Sequence, residues 1–324
     1  MSDGAANLSA AFEVATVLSG RDLRPGGGRT TAYINALITM GFVDATLARA
    51  VEPHLDAVAI LTEAGIGASI PQIGADARST WAVFAAGAPG FDLRALQGPD
   101  GWTLTGSKPW CSLADRVSHA VITASVSDTE QRAFAVRLDP ERTRTPPGKW
   151  VSRGLSEITT GAIEMHALPA VPVGEVGWYL SRPGFAWGGI GVAAVWYGIA
   201  LALRERLLRV TGGRASDQIA HLHLGAVDRD LFAAGASLAF AVAEIDDGRA
   251  AGAAGEVLAL RVRSVIARAA EDTLTAVGHA LGPGPLTGDE EYARRVADLA
   301  VYLRQHHGER DLARLGGYLR AQHG

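Results

Sequence analysis

The spacing of hydrophobic positions changes twice along the chain. From about residue 8 to 65 apolar side chains fall three and four apart, most regularly from Tyr33 to Leu61, which predicts helices. Pro25-Gly26-Gly27-Gly28 ahead of that stretch reads as a flexible lead-in. From about 78 to 170 the period falls to two. Trp81-Ala82-Val83-Phe84 predicts a short strand, and Trp102-Thr103-Leu104-Thr105 alternates after the turn Gly98-Pro99-Asp100-Gly101. His119–Thr123, Ala133–Val136 and Ala162–Met165 predict further strands. After Pro183 the helical period returns over roughly 185–211, 216–246, 251–281 and 288–322. Gly212-Gly213, Asp246-Asp247-Gly248 and Gly282-Pro283-Gly284-Pro285 separate those segments, the pattern of an up-and-down bundle. The expected class is α+β, with an N-terminal helical region (1–75), a central β domain (76–180) and a C-terminal four-helix bundle (181–324).

Composition narrows the function. A chain of 324 residues exceeds one small domain, and 48% hydrophobic with 20% charged residues supplies a packed core rather than a disordered coil. Thirty basic against 34 acidic residues give a net charge of −4, so no nucleic-acid partner is expected. Cys111 is the one cysteine, which excludes an internal disulfide and a multi-thiolate zinc site and points to a reducing, cytoplasmic compartment. The first residues lack the basic stretch and apolar block of a secretory leader. Gly184–Leu203 carries no charge over a length that flags a membrane span. Its many glycines and its continuation into Arg204-Glu205-Arg206 predict a buried bundle helix instead, and no membrane partner.

The segment with the most chemistry in it is Gly101-Trp102-Thr103-Leu104-Thr105-Gly106-Ser107-Lys108-Pro109-Trp110-Cys111-Ser112, followed by Ala114-Asp115. It resembles the β-domain pattern of the acyl-CoA dehydrogenase family, a flavoprotein fold shared with some flavin-dependent monooxygenases. The resemblance implies that Trp110 packs beside a flavin ring and that the hydroxyl of Ser112 meets its N5 edge. A flat apolar wall with a few aimed polar groups suits an isoalloxazine. Ala85-Ala86-Gly87-Ala88-Pro89-Gly90-Phe91-Asp92 occupies the place of the family's Thr-Glu-Pro-Gly-Ala-Gly-Ser-Asp loop. Gly90 and Asp92 remain, while Ala85 and Phe91 replace the hydroxyl residues, leaving backbone N–H groups to serve. The turn from Gly278 to Gly284 resembles the family's glycine-rich turn near the cofactor, and it implicates Gly282 and Gly284. Relatives carry an Arg-x-x-Phe-Gly segment that reaches a partner subunit's FAD. Here Gly212 falls at the arginine, with Arg209 or Arg214 as the cations nearby.

The family's glutamate base is missing. The stretch Ala297–Gly308 puts Gln305 at the family's tyrosine and His306 at its glutamate, and Trp178–Leu203, the other known location, holds no carboxylate. His306 or His307 is therefore the candidate proton acceptor, since an imidazole titrates near ~6.5. Glu52 and His54, flanking Pro53, are candidate substrate contacts. Cys111 reads as a core residue, and His221 and His223 do not share a helical face, so no metal site is expected. The resemblance implies FAD, a small-molecule substrate such as an acyl thioester, and a homodimer or homotetramer. Three functions stay open: an acyl-thioester oxidoreductase with a histidine base, a flavin-dependent monooxygenase or oxidase, and a flavin-free binding or assembly subunit.

Overall fold

The structure is a computed structural model that describes residues 3–146, 148, 150–212 and 217–321, with side chains from residue 8 onward. The chain is α+β, 56% helix and 17% strand, in the order foreseen from the change of hydrophobic period. It forms two compact units, each with its own core. The first comprises Met1–Arg24, Arg49–Val151 and Glu157–Phe185, and the second Pro25–Ala48, Ser152–Ser156 and Ala186–Gly324.

The first unit holds helix α1 (Asp3–Ser19), most of α3 (Ala45–Glu63, which follows α2, Thr30–Val43) and all the strands. The strands are β1 (Trp81–Phe84), β2 (Leu93–Gly98), β3 (Gly101–Ser112), β4 (His119–Ser125), β5 (Gln131–Arg137), β6 (Thr143–Arg144) and β7 (Thr160–Val173). Their order is β1-β4-β2-β3-β7-β5, and because β5 also pairs with β4 the sheet closes on itself. Closure leaves few free edges, and the inward residues fill the core. Trp81 and Val121 pack there with Ile60, Leu61 and Ile70. Short α4 (Trp178–Ser181) ends the unit beside Arg182, whose guanidinium meets the carboxylates of Glu63 (2.7 Å) and Asp56 (3.7 Å) on α3.

The second unit is built on α2, α5 (Pro183–Thr211), α6 (Gln218–Asp246) and α7 (Gly252–Leu281). Arg214, Ala215 and Ser216 lie outside the described residues. The long uncharged run is inside α5, and Trp196, Ile199, Leu203 and Leu207 from it are fully buried. Asp246 on α6 accepts from the Gly28 N–H (3.1 Å) and the Thr30 hydroxyl (2.6 Å), which satisfies donors at the start of α2. The fourth helical segment is not continuous. It divides into α8 (Gly284–Gly288), α9 (Glu290–Tyr302), a 3₁₀ turn (Leu303–Gln305) and α10 (Glu309–Ala321). Gly308 at φ +53 stops one helix, and Glu309 with Asp311 favours the positive N-terminus of the next. His306 thus sits in a bend rather than on a helix face.

Candidate functional site

Two β-bulges interrupt the pairing of β3 with β7, one between Leu104 and Gly106 and one between Lys108 and Cys111. Bulges turn side chains away from the ladder and gather at functional sites. At the first, Gly106 has φ +126, and a Cβ there would lie 2.1 Å from the Asp92 carbonyl oxygen, so only glycine admits the loop Ala85–Asp92 this close. The Ser107 N–H then donates to that Asp92 oxygen at 2.8 Å. The buried ammonium of Lys108 donates to the carbonyl (2.7 Å) and hydroxyl (2.8 Å) of Thr123, and that hydroxyl donates to the Ala85 carbonyl at 3.3 Å. Gly106, Ser107 and Lys108 therefore fix both ends of the loop that the sequence pairs with them. Burial pulls the Lys108 pKa down to about 8. The loop opens on two clefts, one of about 790 Å³ lined by Gly90, Ser107 and Arg142, the other of about 710 Å³ lined by Ala85, Thr123, Tyr179 and Phe185.

At the second bulge Trp110 takes φ +59, a conformation that is an outlier for a bulky side chain, and its indole is 61% exposed. Holding a tryptophan out into solvent by a strained backbone forgoes its burial energy, on the order of 2 kcal/mol. Cys111 beside it is buried, and desolvation pushes its thiol up to about 12, so it is an inert core residue. Ser112 is half-buried. Its Oγ accepts from the Arg49 guanidinium (3.3 Å) and lies 2.9 Å from the Thr160 hydroxyl. Arg49 also faces the buried Glu52 at 3.8 Å, so the first unit brings Glu52 to within one side chain of Ser112. His54 is buried on the same helix, its Nδ1 accepting from the Trp81 N–H at 3.1 Å. Pro53 lies inside α3 rather than breaking it.

The remaining candidates lie in the second unit. His306 is half-buried, its Nε2 3.3 Å from the Ser264 hydroxyl and 3.7 Å from the Asp311 carboxylate, with the Trp196 ring edge-on at 6.2 Å. Desolvation, followed by the Arg263 guanidinium, lowers its pKa, so the ring is a neutral proton acceptor at pH 7. His307 is exposed, with Nδ1 3.7 Å from Asp311. Both border a cleft of about 450 Å³ that Glu271 and Glu309 also line. Gly282 ends α7 at φ +65, and Gly284 begins α8. Arg49, Thr160, Ser264 and Asp311 have no part in the sequence reading. Of these only Asp311 left a local trace, as an acidic residue in a helix's first turn. Among the described residues no group of three or more His, Cys, Asp or Glu stands together to hold a metal ion.

The sequence matches no family model and no curated protein. The fold does have solved counterparts. Butyryl-CoA dehydrogenase from Megasphaera elsdenii matches with a TM-score of 0.72 over 89% of this chain and 78% of its own, at 19% identity. The 3-HSA hydroxylase from Rhodococcus sp. RHA1 matches with 0.72 over 96% and 94%, at 17% identity. The dibenzothiophene monooxygenase TdsC from Paenibacillus sp. A11-2, solved with FMN and indole, matches with 0.70 over 97% and 96%, at 15% identity. The chain has the acyl-CoA dehydrogenase fold, which flavin-dependent monooxygenases share.

Proposed function

We propose that this chain is a flavin-dependent monooxygenase of the acyl-CoA dehydrogenase fold, acting on a small molecule. The observation that carries the reading is Trp110, an exposed indole locked outward by a strained bulge two residues before a hydrogen-bonded hydroxyl. Such a wall and hydroxyl fit an isoalloxazine, and Phe91, 41% exposed on the neighbouring loop, adds apolar surface. The loop backbone is open at Gly87 and Gly90, where a Cβ would meet nothing within 4 Å. Flavin supplies the redox chemistry when bound. The chain's residues hold its ring system, shield it and manage protons.

Two observations favour oxygenation over thioester dehydrogenation. No carboxylate stands at either location of the family's base, and in its place His306 is a neutral imidazole held by Ser264 and Asp311. That group takes up or returns one proton near neutrality without the strongly basic site that α-proton removal from a thioester needs. The solved monooxygenases also span nearly the whole of this chain and of their own. Gly212 in place of an arginine removes a contact to a diphosphate, so FMN, as in the TdsC complex, suits the site at least as well as FAD. The dehydrogenase reading, with FAD, an acyl thioester and His306 or His307 as base, keeps the support of the butyryl-CoA dehydrogenase likeness. Gly282 and Gly284 are proposed to border the cofactor, Glu52 and His54 the substrate, in a homodimer or homotetramer located in the cytoplasm.

Anaerobic titration of the purified chain with FMN and with FAD, oxidised and dithionite-reduced, tests the reading. At least one form is expected to bind and quench tryptophan fluorescence, and Trp110→Ala to weaken binding about tenfold, as loss of roughly 1.4 kcal/mol of stacking would. No binding of any form leaves the flavin-free reading. Anaerobic bleaching of bound flavin by an acyl-CoA would move the assignment to the dehydrogenase, and oxygen-dependent turnover indifferent to His306→Ala would strip that histidine of its role.

A further inference from the structure

The hydroxyl of Ser112 has one hydrogen to give, and its neighbours decide where that hydrogen points. Thr160 Oγ1 lies 2.9 Å from Ser112 Oγ and 3.0 Å from the Ile158 carbonyl oxygen. A carbonyl only accepts, so the Thr160 hydrogen is committed to Ile158. Thr160 can then offer Ser112 only a lone pair, and Ser112 must donate to it. On its other side Ser112 accepts from the Arg49 guanidinium at 3.3 Å, and a guanidinium has no lone pair to present. One arrangement of hydrogens satisfies all three contacts. In it Ser112 has spent its donor, and its remaining capacity is that of an acceptor.

The scaffold makes this arrangement stiff. Ser112 ends β3 opposite Thr160, which starts β7, and the two are direct cross-strand partners. The Leu113 N–H donates to the Thr159 carbonyl at 2.8 Å and ties the same two chain segments one step further on. Arg49 is only 14% exposed in its side chain and is flanked by Glu52 at 3.8 Å, so it is not free to swing away. Turning the Ser112 hydrogen outward would leave Thr160 Oγ1 without its donor and place two acceptors face to face in a half-buried site, at a cost comparable to a lost hydrogen bond.

We propose that Arg49, Thr160 and the Ile158 carbonyl act as positioning groups that fix Ser112 as a hydrogen-bond acceptor, and that the chain thereby discriminates between the redox states of its flavin. The inference rests on the flavin reading above and deepens it. In oxidised flavin N5 is an acceptor and would face another acceptor. In reduced flavin N5 carries a hydrogen, which the free lone pair of Ser112 can take. The chain is built to hold the reduced form more tightly. It therefore requires a separate donor to deliver or regenerate that form, a flavin reductase by chemical class.

The test is the ratio of dissociation constants for oxidised and reduced FMN, measured anaerobically by tryptophan quenching for the wild-type chain, Thr160→Val, Thr160→Ser and Ser112→Ala. The wild type should bind the reduced form at least tenfold more tightly. Thr160→Val removes the acceptor with little change of volume and frees the Ser112 hydrogen, so the ratio should collapse about tenfold, or about 30 mV in the two-electron potential of the bound flavin. Thr160→Ser restores the hydroxyl and should restore the ratio, which a purely structural role would not require. If Thr160→Val does not fold, Ser112→Ala serves in its place. It should weaken the reduced form about fivefold to tenfold and leave the oxidised form unchanged. An unaltered ratio in a Thr160→Val or Ser112→Ala protein that binds flavin overturns the inference and leaves the flavin reading standing. If the wild type binds neither form, both fall together.

Discussion

A Gly198→Leu variant is expected to lose about 3 kcal/mol of stability or more, melting roughly 6–12 °C below the wild-type chain. The reason is a backbone-to-backbone crossing of α2 and α5 in the second unit. A Cβ on Gly198 would stand 2.1 Å from the Ile38 carbonyl oxygen and 3.0 Å from the Phe42 nitrogen. The approach is reciprocal, because a Cβ on Gly41 would stand 2.4 Å from the Val195 carbonyl oxygen. What it would strike is main chain within helices, which cannot rotate aside as a side chain can. The helices must separate, and separation uncovers Tyr33, Leu37, Trp196 and Ile199, all fully buried. Gly225→Ala on α6 is the matched control. It too is a helical glycine, but nothing lies within 4 Å of its Cβ position and it is exposed, so alanine there should stabilise by about 0.5–1 kcal/mol. Thermal unfolding of the two variants followed by circular dichroism gives the answer. Equal melting temperatures would mean that α2 and α5 do not touch through their backbones.

The same crossing explains what was legible in the sequence. An uncharged, glycine-rich run in α5 looks like a membrane span by length and apolarity. Its glycines, however, are where another helix comes close, and its large residues fill the unit's core. The strands that alternate cleanly, at 81–84, 119–123 and 133–136, stand inside β1, β4 and β5. β2 escaped notice because Leu96 is exposed among Arg94, Gln97 and Gly98, which blurs its alternation. The break of the last helical segment escaped for a related reason. Leu303 and Tyr302 keep the apolar period up to the point where Gly308 ends it. In the candidate site the pair Trp110 and Ser112 was legible because it is contiguous. Arg49 and Thr160 were not, since they reach Ser112 across 63 and 48 residues of chain, and no local spacing encodes such a contact. Lys108 shows the limit from the other side. The motif that contains it was readable, but that its ammonium ties the loop Ala85–Asp92 to β4 through Thr123 depends on the closed sheet.

His54 should make the protein sensitive to mild acid. Its ring is 1% exposed, and burial lowers its pKa from 6.5 to about 4. The geometry gives the same direction. Nδ1 accepts the Trp81 N–H, so the neutral ring carries its hydrogen on Nε2, and a second proton would have to displace that bond at Nδ1. Nε2 is itself buried without a hydrogen-bond partner, so a charge on the ring has nothing to compensate it. The unfolded chain binds a proton below pH 6.5 that the folded chain refuses until about pH 4. Stability is therefore intact above the unfolded value and falls as pH drops through that window. A displacement of this size corresponds to about 3 kcal/mol in full, of which about 2.5 kcal/mol is lost by pH 4.5. Carboxylates titrate in the same range, so the informative quantity is a difference of differences. Urea unfolding at pH 7 and pH 4.5 should show the wild-type chain losing about 2.5 kcal/mol more than His54→Gln, which keeps an acceptor for Trp81 and has no proton to gain. Equal losses in the two proteins would mean that His54 is free to charge inside the fold. A buried β1 would then be tied to α3 by something other than a neutral imidazole.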